Sequence, residues 1–322
     1  MQNKKENKIK EFLRGKKITR EHFLWLIIGI LLIFSANCFL AKRYDEKAAI
    51  LKLKKAYPLI SPARSLYNKE DLIVNVQPLR DELSKMGETD PNISIYFEFL
   101  NTGANIAVNK DMAIWPASLM KIPIAMAVMK KIEDGKWQLN SEMILYQEDR
   151  DERFGEMYKK PVGGRFTVEE LLREMLIKSD NTARGILIRN LDTGDIEEVL
   201  NHLGIEDIYN TENEITGKKY SIFWRSLYNS SFLSEEHSQQ LVEMMAHSET
   251  NEYLSRGLPD SVTFSHKIGV IYEDNIYADS GIVYVLERPY ILTVMMQGHD
   301  EVDAERIIKE ISEKVYRYVS SY

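Results

Sequence analysis

Residues 23–41, FLWLIIGILLIFSANCFLA, form a run of nineteen without a charge, and no other feature constrains the chain as much. At about 1.5 Å per residue a helix of that length covers about 28 Å, close to the hydrocarbon thickness of a bilayer. The run is apolar on every face, which a helix lying against one side of a core does not require. Trp25 stands near one end, where interfacial aromatics sit. The expected organisation is a cytoplasmic basic tail over 1–22, a transmembrane helix over 23–41, an extracytoplasmic linker over 42–75 and a folded domain over 76–322. The orientation follows from the tail, which holds eight basic residues and three acids and belongs inside by the positive-inside rule. Lys42 and Arg43 weaken that signal without reversing it. A cleaved signal peptide competes, but Ser35-Ala36-Asn37-Cys38 fits a cleavage site poorly. Asn37 likewise disfavours lipidation at Cys38. The chain is therefore expected at the cell membrane, single-pass, with its C-terminal domain outside.

The tail carries +5, so the remaining chain carries −12 of the total −7. An acidic main body argues against a nucleic-acid partner. A single cysteine, Cys38, excludes an intramolecular disulfide and a cysteine-based zinc site. The six histidines are scattered with no His-Glu-x-x-His pattern, so neither a metal nor another cofactor is expected.

Beyond residue 42, the Lys/Ala/Leu-rich stretch 45–56 suits a juxtamembrane helix that Pro58 and Pro62 then break. Pro78 followed by LRDELSKMG predicts a helix ending at Gly87. ISIYFEFL (93–100) and residues 105–108, with Asn101-Thr102-Gly103 between them, read as a hairpin. Residues 118–255 are mainly helical in spacing. SVTFSHKIGVI (261–271), IYADSGIVYVL (276–286) and YILTVMMQG (290–298) read as strands, and a long amphipathic helix runs from about Asp303 to Tyr318. Strands at both ends and helices between them predict an α/β (α+β) fold: one five-stranded antiparallel sheet, covered by the first and last helices, plus a helical subdomain. The active site would lie in the groove between the two parts.

Ser118-Leu119-Met120-Lys121 is the one Ser-x-x-Lys in the chain. Residues i and i+3 share a helix face, so a hydroxyl and an amine would lie side by side. A lysine made neutral by desolvation or by a second cation can take the serine proton. The same tetrapeptide also describes a capped helix with a solvated lysine. Ser179-Asp180-Asn181 alone is an ordinary capping cluster. Lys267-Ile268-Gly269 alone means little, since Lys85-Met86-Gly87 has the same form, although Gly269 on a strand would allow close backbone approach by a ligand.

Taken in order, on a helix, a helix junction and a strand, the three motifs resemble those of the penicillin-recognising serine enzymes, the class A β-lactamases and related cell-wall peptidases. GGRFTVEELLREMLIKSDNTA and SSFLSEEHSQQLVEMM extend the resemblance, which covers about residues 76–322. It implies a β-lactamase/DD-peptidase-like fold and an acyl-enzyme mechanism on a small-molecule or cell-wall peptide substrate. Ser118 would attack a carbonyl, Lys121 would be the base or its relay, and Ser179 would pass a proton to the leaving nitrogen. Asn181 would contact the substrate amide and Lys267 its carboxylate. The backbone N–H groups of Ser118 and Val270 would form the oxyanion hole, beside Gly269. The oligomeric state is left open.

Two departures from the family pattern stand out. Ile268 occupies a position where the family has Thr or Ser, and Val270 one where a hydroxyl is common. A lost hydrogen bond to a charged group would cost about 1.5–3 kcal/mol of substrate-carboxylate binding. The family's Glu-x-x-Leu-Asn, which activates the deacylating water, is missing from the stretch Gly204 to Tyr220, where Glu212 and Glu214 are the nearby acids. Three readings follow: a serine hydrolase that acylates readily and deacylates slowly, a β-lactamase proper using Glu212 or Glu214, and a non-catalytic binding or sensory module on the same fold.

Overall fold

The computed structural model describes residues 20–61, 75–205 and 214–321. By internal contacts the chain divides into two units, Met1–Lys55 and Ala56–Tyr322.

Helix α1, Arg20–Ala56, supplies the described part of the first unit and ends on the first residue of the second. Its Leu31, Leu32, Ile33 and Phe34 are all exposed. The portion Ile27–Ala56 is long and apolar enough to cross a membrane. No separate juxtamembrane helix forms: residues 45–56 continue α1 without a break, because the sequence offers no proline before Pro58. Pro62 lies outside the described residues.

The second unit starts with a short docked segment inside the stretch expected to be linker. Leu59 N–H donates to Gln239 Oε1 at 2.9 Å, Tyr284 Oη–H donates to Leu59 O at 2.8 Å, and Ile60 is buried. Helix α2 (Gln77–Thr89) then leads into β1 (Ile93–Phe99) and β2 (Ala104–Val108). α2 does not stop at Gly87 as expected. A Cβ there would lie 2.1 Å from Val108 Cγ1, so this glycine serves close packing of helix on strand instead of ending the helix.

After β3 (Ala113–Ile114) comes the helical segment: α3 (Lys121–Glu133), β4 (Glu142–Ile144), β5 (Arg165–Thr167), α4 (Val168–Ile177), α5 (Asn181–Asn190), α6 (Asp195–His202), β6 (Ile215–Thr216), α7 (Gly217–Asn229) and α8 (Glu235–Ala246). β3 pairs with β6 and β4 with β5, both antiparallel. Strands β7 (Thr263–Ile271), β8 (Ile276–Tyr284) and β9 (Tyr290–Gln297) and helix α9 (Glu301–Ser321) complete the chain.

The sheet order is β2-β1-β9-β8-β7 with every pairing antiparallel. β1 joins the N-terminal hairpin to the C-terminal strands, in register from Ile93 opposite Met296 to Phe99 opposite Tyr290. Both faces are covered, so the period of two sorts side chains between two cores. Ile95, Phe97, Leu292 and Val294 share one with α2 and α9, through Leu79, Leu83, Ile308 and Ile311. Ala278, Ile282, Ile291 and Met295 share the other with the helical segment. Arg225 of α7 straps that face with charge-assisted bonds to buried Glu98 of β1, at 2.8 and 3.1 Å from Nε. The edge strand β7 runs past the turn that leads into α3, and there the sheet meets the helical segment.

Candidate active site

Ser118 lies in a 3₁₀ turn, Ala117–Met120, that passes directly into α3 at Lys121. Ala117 has φ of 48°, a left-handed conformation that costs a non-glycine residue about 1–3 kcal/mol. The surroundings hold it there. Leu119 N–H donates to Pro116 O at 2.9 Å, and the fully buried Tyr220 of α7 donates its hydroxyl to Leu119 O at 3.0 Å. On the sheet side a Cβ at position 269 would fall 2.8 Å from Pro116 O and 2.9 Å from Leu119 Cγ. The close approach at Gly269 is thus that of the serine turn itself, and only glycine lets β7 lie this near.

Ser179, between α4 and α5, is left-handed as well, with φ of 57°. Asp180 fixes that junction: its carboxylate caps α5 by accepting from Ala183 N–H and also accepts from Met157 N–H, both at 2.8 Å. The two strained corners flank one nitrogen. Lys121 Nζ is 3.0 Å from Ser118 Oγ, 3.0 Å from Ser179 Oγ, 2.5 Å from Ser179 O and 2.8 Å from Asn181 Oδ1. Lys121 is almost fully buried (1% exposed). Burial lowers its pKa to about 6, assisted by the Lys267 and Arg184 cations and opposed by Asp180 and Asp151. At neutral pH it is largely a free amine.

Asn181 also helps stabilise the Asp151 carboxylate, whose pKa hydrogen bonding with the Arg153 guanidinium pulls down to about 2. Lys267 lies in mid-strand on β7 and is 0% exposed. Its Nζ has no hydrogen-bond partner among the described residues. Desolvation lowers its pKa to about 8, with Asp279 and then Glu252 pulling the other way.

A cleft of about 560 Å³ opens at this point. Of the residues singled out from sequence, Ser118, Lys121, Asn181 and Val270 line it. Ser179 meets Lys121 from behind, Gly269 lies under the serine turn, and Lys267 acts on Lys121 through its charge. Ile268 points elsewhere: it belongs to the core shared with α2 and α9. A hydroxyl at position 268 would enter that apolar cluster in place of the cleft, because alternate strand residues face opposite sides. Glu214 does not line the cleft, and Glu212 lies outside the described residues. The acid that does line it is Glu273, just past β7, where its charge acts on Arg153.

Sequence reasoning did not single out Asp151, Arg153, Arg184 or Tyr220. Arg184 follows Asn181 by three residues on α5, so a helical wheel would have placed it beside the motif. The other three carry no local signature.

Comparison with known proteins agrees with this architecture. The model of the beta-lactamase enzyme family matches residues 78–319. Beta-lactamase VEB-1 of Pseudomonas aeruginosa is 24% identical over 245 residues, 68% of this chain and 82% of that protein. The structure of PBP-A superposes with a TM-score of 0.69 at 21% identity, covering 77% of this chain and 97% of its own. A beta-lactamase from Sphaerobacter thermophilus superposes with a TM-score of 0.70 at 19% identity, covering 77% and 99%. A family match over most of the chain, on a β-lactamase-like fold, shows that this chain belongs to the beta-lactamase enzyme family.

Proposed function

We propose that the protein is a membrane-anchored serine hydrolase that forms an acyl-enzyme on Ser118, acting outside the cell on peptidoglycan-type amides and captured by β-lactams. The observation that carries this reading is Lys121, a buried amine of depressed pKa 3.0 Å from Ser118 Oγ. As Ser118 Oγ attacks the carbonyl carbon, its proton passes to Lys121 Nζ. Ser179, 3.0 Å from the same nitrogen, relays a proton to the departing amide nitrogen. The C–N bond breaks and the acyl group stays on Ser118 as an ester. The N–H groups of Ser118 and Val270 receive the oxyanion. Protonated Lys267 attracts the substrate carboxylate, and Asn181 holds the amide side chain. The known relatives favour the chemistry: a mutant of PBP-A has been solved as an acyl-enzyme with penicillin G.

Release is the slow half in this reading, since the family's Glu-x-x-Leu-Asn is missing from the stretch Gly204 to Tyr220 and Glu214 does not line the cleft. A second reading, β-lactam hydrolysis proper, is favoured by the likeness to VEB-1. The anchor is α1, with the basic residues of 1–22 inside and the catalytic unit outside. Pre-steady-state kinetics with a chromogenic cephalosporin separate the two readings. We expect a burst of one equivalent followed by slow turnover, and rapid steady turnover with no burst would support the β-lactamase instead.

A further inference from the structure

Lys267 is a fully buried cation without a hydrogen-bond acceptor among the described residues. A charge in that position is strongly disfavoured unless an opposite charge stands near it. The groups around it can be named. Toward the cleft lie Lys121, a free amine at neutral pH, and the Arg184 cation, and neither supplies a negative charge. Ser280, its register partner on β8, is engaged with Thr293 at 2.5 Å. Glu252 is partly exposed, so water screens its field. Among the described residues the other acid whose charge acts on it is Asp279 of β8, opposite Ile268 in register and itself 0% exposed.

Asp279 is held from two sides. His266 Nδ1–H donates to its Oδ1 at 2.9 Å, and Leu254 N–H donates to Oδ2 at 3.0 Å. A carboxylate accepts only, so the tautomer with hydrogen on Nδ1 follows. His266 and Lys267 are neighbours on β7 and therefore face opposite sides of the sheet. Behind His266 a cavity of about 700 Å³ is lined by Arg256, Asp260 and Lys309 among others. Arg256 and Lys309 already face Glu305 and Glu313. None of these groups is an alternative counter-ion in hydrogen-bond contact with Lys267.

We propose that Asp279, positioned by His266 and the Leu254 amide, is the counter-charge that holds the positive charge of Lys267 from behind the sheet and so fits the cleft for acyl donors bearing a carboxylate. The inference rests on the reading of Lys267 as the carboxylate holder. Asp279 and His266 touch no substrate and are positioning residues.

The test is a lysine side-chain NMR titration of the full-length protein, assigned with K267R. It is paired with pH profiles of kcat/KM for a carboxylate-bearing donor and its uncharged amide counterpart. In Asp279→Asn the Lys267 titration moves down by about one pH unit or more, and the alkaline limb moves with it for the carboxylate donor alone. In His266→Gln, whose amide still donates to Asp279, the limb stays where it is in wild type. An unmoved Lys267 titration in D279N overturns the proposal, and so do equal losses in both variants with both donors at every pH. If the titration moves but donor preference does not, the counter-charge stands and the carboxylate role of Lys267 falls. Should D279N fold poorly, D279N/K267M decides. Removing the uncompensated cation raises Tm above that of D279N, and an equal or lower Tm contradicts the inference.

Discussion

Four oxygens surround Lys121 Nζ, and an ammonium has only three hydrogens. Ser179 O and Asn181 Oδ1 can only accept where they meet it, so they take two N–H groups. The other two neighbours, Ser118 Oγ and Ser179 Oγ, are hydroxyls that can donate as well. A neutral amine fits this set: two donors used, one lone pair left facing hydroxyl protons. The depressed pKa of about 6 says the same thing electrostatically. Lys121→Met should therefore slow acylation of Ser118 by roughly 10²–10⁴-fold, measured as the second-order rate with a penicillin. In wild type the acylation rate should rise with pH through about 6 as Lys121 loses its proton, and fall above about 8 as Lys267 loses its own. A profile flat from pH 5 to pH 9 would contradict both assignments. At this scale the sequence made Ser118 and Lys121 legible because an i, i+3 pair is a local relation. Asp151 and Tyr220 reach the site through contacts 30 and about 100 residues away in the chain, and no spacing rule announces such contacts.

Two glycines show how elements set the site. Gly269 lets β7 lie against the serine turn, and Gly87 lets α2 lie against β2. Adding a methyl group to either overpacks a tight contact, at a cost of about 1–3 kcal/mol. The consequences should differ. Gly269→Ala should shift the turn that carries Ser118 and lower the acylation rate about tenfold or more, as misplacement of reacting groups does. Gly87→Ala should lower Tm by a similar amount while each folded molecule acylates at the wild-type rate. Paired Tm and acylation measurements on both variants check this. The strands were legible because they are short runs rich in β-branched and aromatic residues, with turns marked by Asn101-Thr102-Gly103 and Glu287-Arg288-Pro289. Helix α7 was not named in advance: buried Ser221 and Ser226 interrupt its apolar stripe, and its first turn lies in a stretch read as loop. The ladders β3–β6 and β4–β5 are two or three residues long, too short for a period to show. Gly87 misled because a glycine kept for packing looks the same in sequence as one that ends a helix.

For the whole molecule, attachment belongs to one unit and chemistry to the other in the proposed reading. Every residue named at the cleft belongs to Ala56–Tyr322. Deleting residues 1–55 should move the protein from the membrane fraction to the soluble one with its acylation rate unchanged. Cell fractionation and the same rate assay test this, and a truncated protein still sedimenting with membranes would contradict the anchor. The acidic body carries a cleft lined by the Arg153 and Arg184 cations and, among the described residues, the single acid Glu273, with Lys267 buried behind it. In the proposed reading this excess of positive charge draws anionic substrates toward the cleft. All of this depends on Ser118 acting as the nucleophile, and intact-mass measurement after incubation with penicillin G tests that directly. Wild type should gain the mass of one penicillin and Ser118→Ala none; no adduct on wild type, or an adduct that survives in Ser118→Ala, would contradict the account.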